Sequence, residues 1–252
     1  MLTVRDAQLN AFSHPLLDEF EKYALQHLHA CFPERCQKTG DDVLRDTIRY
    51  GVLRASRHGF THYRPLCTYL TLMFWLGSGF DEDPAYPWVP SLLDGTYCED
   101  QLAKATLLQS AALKYLDRAE GENNEHLTSA LNAILSNDLD SLLPPCEGDF
   151  DYYMARRLWL IHPRKCEVIG ASSLRRLTEM GAGLAETNGL VSVQGRGFYI
   201  GMMFMLGTSF DVDPLFPWAR RVLDAGKTMD EAAYVHELHR KSIAYIKALP
   251  VE

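Results

Sequence analysis

The chain says the same thing twice, 130 residues apart. FWLGSGFDEDPAYPWVPSLLDG begins at Phe74 and FMLGTSFDVDPLFPWARRVLDAG at Phe204, and aligning Asp81 with Asp211 fixes the offset at 211 − 81 = 130. The register holds without a gap from Phe20 to Leu116. It pairs Pro33 with Pro163, Cys36 with Cys166, Gly40 with Gly170, Gly51 with Gly181, Gly59 with Gly189 and Tyr115 with Tyr245. Solenoid repeats run at roughly 20–50 residues, whereas each of these units is long enough for a core of its own. The expected organisation is one helical unit over 1–120, a linker and bridging helix over 121–143, and a second unit over 144–252.

Apolar spacing within each unit follows the period of a helix. In LLDEFEKYALQHLHACF, Leu16, Phe20, Tyr23, Leu28 and Phe32 share a face. DDVLRDTIRYGVLRASRHG starts on Asp41, a natural N-cap, and stops at Gly59. RPLCTYLTLMFWLG, apolar nearly all round, reads as the buried central helix of its unit. PWVPSLLDG is a short helix entered at Pro87, and EDQLAKATLLQSAALKYLDRA a long amphipathic one. EHLTSALNAILSNDL supplies the bridging helix, and PPCEGD (144–149) breaks the chain before the second unit. No segment alternates apolar and polar residues around a hairpin turn. The fold class expected is all-α, two tandem and similar helical bundles from an internal duplication.

Net charge is −8, which argues against a nucleic-acid binder, since that function needs a basic face to release counterions. The most apolar stretch, Gly197 to Gly207, is far shorter than the ~20 residues of a membrane span. No export signal is visible at the N-terminus, so a cytoplasmic protein with reduced, mostly buried cysteines is expected.

The residues with chemical potential are few. Asp81-x-Asp83 and Asp211-x-Asp213 lack the further oxygen ligands and the Gly and Glu of a calcium loop. As an acid–base pair they lack a visible third partner. A structural role has a mechanism: Phe80 and Phe210 plug the core, the Asp side chains accept backbone N–H groups in Asx turns, and Pro-Trp starts the next helix. His236 and His239 have no counterpart in the first unit, and Cys36 and Cys166 have no neighbouring His, so no metal, cofactor or catalytic residue is assigned. Where the first unit has Cys67 and Thr71, the second has Gly197 and Gly201, four apart on one helix face. Such a stripe either packs tightly inside the unit or forms a groove for a partner helix.

The pattern Pro33-x-x-Cys36, Gly51, Gly59, Gly77-x-x-Phe80-Asp81-x-Asp83-Pro84 and Trp88 resembles a family of small bacterial proteins encoded beside type VI secretion effectors carrying PAAR or VgrG spike parts. The resemblance covers each repeat, although the tandem arrangement departs from the single-unit members. It implies a non-enzymatic, protein-binding accessory: an effector chaperone or adaptor whose partner is a type VI effector, toxin or spike protein. The alternatives are an immunity protein that neutralises a cognate toxin, and an enzyme built on the Asp-x-Asp pairs. Gly197 and Gly201 are the candidate partner-binding residues.

Overall fold

The computed structural model describes residues 14–137 and 150–248. The described residues form twelve α-helices and no strand. The helix-breaking segment expected at 144–149, with Cys146, lies outside them.

The first half comprises α1 (His14–Cys31), α2 (Pro33–Thr39), α3 (Asp41–Arg57), α4 (Tyr63–Leu76), α5 (Val89–Leu93) and α6 (Gln101–Ala119). After the bridging helix α7 (Glu125–Ser136) come α8 (Phe150–Ile161), α9 (Pro163–Thr187), α10 (Val193–Leu206), α11 (Pro217–Gly226) and α12 (Glu231–Ala248). The helix bounds keep the sequence offset. Helix α9 spans the positions of α2 and α3 together, with a non-helical kink at Gly170 (φ 77°) where Gly40 (φ 83°) separates the earlier pair. Helix α3 starts at Asp41 but takes Gly40 as its N-cap, with no side-chain cap. Clear side-chain caps are found at α6, where Asp100 accepts Ala103 N at 2.8 Å, and at α10, where Ser192 accepts Gly195 N at 3.0 Å. Such caps satisfy amides that the first helical turn leaves unpaired. Helix α5 is half the length of α11 because Gly95 turns the chain at positive φ, whereas Ala225 at the matching place continues the helix.

Ten of the 14 residues of α4 are buried, so it is the central helix of its half. It lies between α1, α3 and α6, and α10 occupies the matching place against α9 and α12. Helices α3 and α4 approach closely at Gly51, where a Cβ would sit 2.4 Å from Leu70 Cδ2; at Gly181 it would sit 2.6 Å from Ile200 Cγ1. Phe80 and Phe210 are fully enclosed, as the motif reading expects.

The contacts do not separate the chain into two bundles. A single apolar cluster runs from Leu17 to Leu238 through both halves, and α6 packs on α9 as well as on α4. Helix α7 joins the second half, where Ala130 and Ile134 meet Ile161. The motif turns contribute to this, because the end of α4 meets the end of α10 at Gly77 and Gly207.

Candidate functional site: the cleft above the paired turns

Helices α4 and α10 end side by side at Gly77 (φ 95°) and Gly207 (φ 97°). A Cβ at Gly77 would lie 3.0 Å from the Leu206 carbonyl oxygen, and one at Gly207 3.3 Å from that of Leu76. Only glycine meets both demands, a left-handed backbone and backbone-to-backbone contact.

Across this seam the second Asp of each motif serves the other half. Asp83 Oδ1 accepts its own Ala85 N at 2.8 Å, while Oδ2 accepts Thr208 N at 3.0 Å. Asp213 Oδ1 accepts Leu215 N at 2.9 Å and Ser78 Oγ at 2.7 Å, and its Oδ2 accepts Ser78 N at 3.0 Å. The Asx turn expected from the sequence is present in each copy, and each also laces the halves together. Burial pushes both carboxyls up from the ordinary range, and the amides they accept oppose it only in part.

The first Asp of each motif does something else, and here the copies diverge. Asp81 makes no Asx turn. Its Oδ1 accepts Arg54 Nε at 2.9 Å and Nη2 at 2.5 Å, and its Oδ2 meets His58 Nε2 at 2.9 Å. Burial alone would raise this carboxyl, but the His58 and Arg54 contacts outweigh it and hold Asp81 low. Positions 54, 58 and 82 become Leu184, Asn188 and Val212 in the second copy. Among the described residues Asp211 forms no ion pair, and burial pushes it up against weaker help from Tyr199, with Arg220 acting from further off. The Asp81 cluster ties α3 to the turn, and among the described residues no hydroxyl or thiol hydrogen-bonds to the His58 ring.

Above the seam, between the halves and under α7, lies a cleft of about 490 Å³, within the range of ligand sites. The ends of α4 and α10 form its floor. Phe32 stacks on Phe74 with centroids 4.9 Å apart and meets Trp75 edge-on at 6.5 Å, making one aromatic wall. Phe216 and Tyr245, edge-to-face at 5.4 Å, make the other. Leu127 and Leu131 of α7 close over it.

Two cations related by the offset, Arg35 and Lys165, enter the cleft. Each donates to the last turn of the central helix in its own half, Arg35 to Phe74 O and Lys165 to Phe204 O at 2.5 Å. Each also sits over a phenyl face, Arg35 5.0 Å from the Phe74 centroid and Lys165 4.8 Å from that of Phe204. Cations at helix C-termini neutralise exposed carbonyl dipoles, and the ring faces add cation–π attraction. Burial pulls the Lys165 ammonium down, although Glu120 and Asp83 oppose it. Burial pushes the Glu120 carboxyl up, opposed by Lys165. Arg35, Lys165 and Glu120 carry no recognisable motif; the one available signal was a basic residue kept at the same place in both copies, between Pro and Cys.

Gly197 and Gly201 lie elsewhere on α10, lining a small apolar cavity of about 50 Å³ with Ile134, Met154, Phe198 and Met202. Beyond the backbone of α10 itself, no described atom lies within 4 Å of where a Gly201 Cβ would sit, unlike the close approaches at Gly51 and Gly181. This cavity shares Met205, Leu206, Tyr245 and Ile246 with the large cleft, which makes it a side chamber behind the cleft wall.

Trp88 and Trp218 are half-buried instead of fully enclosed, though their indole N–H groups are shut in with no acceptor among the described residues. Cys36, Cys67 and Cys166 are buried, and burial pushes the Cys166 thiol up to about 12, as suits a packing residue. Among the described residues no group of three or more His, Cys, Asp or Glu could hold a metal ion, and no helix is long and apolar enough to cross a membrane. No protein-family model matches the chain, nor does any curated protein or solved structure.

Proposed function

We propose that this chain is a protein-binding accessory that acts without turnover, an effector chaperone or adaptor of type VI secretion working in the cytoplasm. In this reading an internal duplication produced two similar helical units, and the cleft between them holds a segment of the partner. The observation that carries it is the cleft itself: an aromatic-walled space of about 490 Å³ whose floor is the paired motif. The carboxylates that first suggested catalysis are occupied, Asp83 and Asp213 by backbone amides and Asp81 by Arg54 and His58. The motif resemblance supplies the secretion context, and the side chamber at Gly197 and Gly201 would take an apolar side chain of the same partner.

The test is co-expression with type VI effector and spike proteins of the same host. Wild-type chain should co-elute with one of them on gel filtration. Leu127→Arg, which puts a charge into the roof of the cleft, should lose that partner while melting like wild type. A complex unaffected by Leu127→Arg would remove the cleft from the account, and a wild-type chain that retains neither protein would remove the function. The acidic residues Asp117, Glu120 and Glu122 on one side of the cleft favour a second reading, an immunity protein for a basic toxin; it predicts that the chain abolishes the toxin's activity in a purified assay.

A further inference from the structure

We infer that the segment held in the cleft is apolar and basic, with a Lys or Arg side chain of the partner placed against Glu120. The inference rests on the cleft being the binding site and adds the chemistry of what enters it. It follows from which charges in the cleft are already matched. Arg35 and Lys165 each donate to a helix-end carbonyl and cover a phenyl ring. Behind each lies a seam carboxylate from the opposite half: Lys165 acts on Asp83, and Arg35 on Asp213. Glu120 is different. It is half-buried at the C-cap of α6, it shares the Lys165 charge with Asp83, and no described residue hydrogen-bonds its carboxylate. Asp117 and Glu122 flank it on the same edge. The cleft lining thus holds three carboxylates, Asp117, Glu120 and Glu122, against two cations, Arg35 and Lys165, so its excess charge is negative, on a chain of net charge −8. An incoming ammonium or guanidinium gains a charge-assisted hydrogen bond in a partly desolvated site, and Trp75 and Phe32 offer ring faces both to cations and to neighbouring apolar side chains.

The probes are three short fluorescein-labelled peptides alternating leucine with lysine, with glutamate or with serine, titrated by anisotropy against the whole protein. The leucine–lysine peptide should bind. Glu120→Gln should weaken it by about tenfold or more, and Glu120→Lys should weaken it further. Asp42→Asn, an exposed acid outside the cleft, should leave affinity unchanged. Equal loss in Asp42→Asn and Glu120→Gln would reduce the binding to non-specific charge attraction and overturn the inference. A leucine–glutamate or leucine–serine peptide binding as tightly, and competing with the first, would overturn the basic class while leaving the cleft as a binding site. Binding of none of the three would overturn both. Circular dichroism of the two Glu120 variants, expected to show both folded at the assay temperature though melting lower than wild type because Lys165 loses a counter-charge, shows that any loss comes from the site.

Discussion

Alanine at position 83 strips the acceptor from two buried amides, Ala85 N and Thr208 N, the second lying 125 residues away in sequence. A buried donor left bare costs ~1–3 kcal/mol, so the pair gives ~2–6 kcal/mol. Releasing a carboxylate from a site where burial has raised its pKa offsets part of this, which brings the expectation to ~2–4 kcal/mol. Asp213→Ala bares Ser78 N and Leu215 N and frees the Ser78 hydroxyl, which can rotate to another acceptor; ~3–5 kcal/mol is expected. The asparagine variants keep one acceptor oxygen but turn an NH₂ toward an N–H, for ~1–3 kcal/mol. Urea unfolding followed through Trp88 and Trp218 gives the totals. Amide exchange gives the geometry: Asp83→Ala should speed exchange at Thr208, and Asp213→Ala at Ser78. If both alanine variants stay within about 0.5 kcal/mol of wild type, the size of an ordinary surface substitution, the crossed caps do not hold the halves together.

Asp81→Asn should cost ~1–3 kcal/mol, since Arg54 loses its buried anion but keeps Glu82 at 2.9 Å and the Tyr50 hydroxyl at 3.2 Å, and adding Arg54→Leu, the residue found at position 184, should recover about half or more; urea titration of single and double variants checks this. His162 is enclosed, and burial, with Lys165 and His126 adding to it, pulls it down to about 4. Its contribution to stability is fully present above the unfolded value of about 6.5 and is lost as pH falls from there toward 4. His162→Phe, matching Phe32 in the first copy, should flatten the fall in melting temperature between those limits; a slope equal to wild type would contradict it. Gly201→Ala should stabilise by ~1–2 kcal/mol through helix propensity and a methyl placed in the small cavity. Gly181→Ala should destabilise, since its Cβ would overlap Ile200 and Met203; thermal melts with the opposite order would show the glycine contacts to be misassigned.

The helices were legible because each carries its own periodicity and punctuation: Pro33 and Pro163 open α2 and α9, and Gly77 and Gly207 stop the central helices at positive φ. The offset of 130 was legible because identical residues keep one register. What pairs with what across the halves was not. A repeat states that two turns are alike, but no local pattern states that Asp83 accepts from Thr208 while Asp81 accepts from Arg54. Both aspartates were read as Asx-turn acceptors, and only the second in each copy is one. The same blindness hid the cleft, which is assembled from α2, α4, α6, α7, α9, α10 and α12 and has no contiguous signature. Glu120 carries no signal at the end of the first unit, because its meaning comes from Lys165, which reaches it only in the folded chain. Gly197 and Gly201 were singled out from sequence, and the structure places them at the back of the cleft wall.

The most direct test of the account is a photoreactive benzophenone side chain at Trp75, introduced in the native host and irradiated with the secretion genes expressed. The account predicts a covalent adduct with an effector or spike protein, mapped by mass spectrometry to an apolar segment carrying Lys or Arg. The adduct should be lost on adding Glu120→Lys and absent when the same group replaces Tyr97, which is 67% exposed and outside the cleft. An adduct formed equally from Tyr97, one indifferent to Glu120→Lys, or none at all would contradict the claim that this cleft holds a partner.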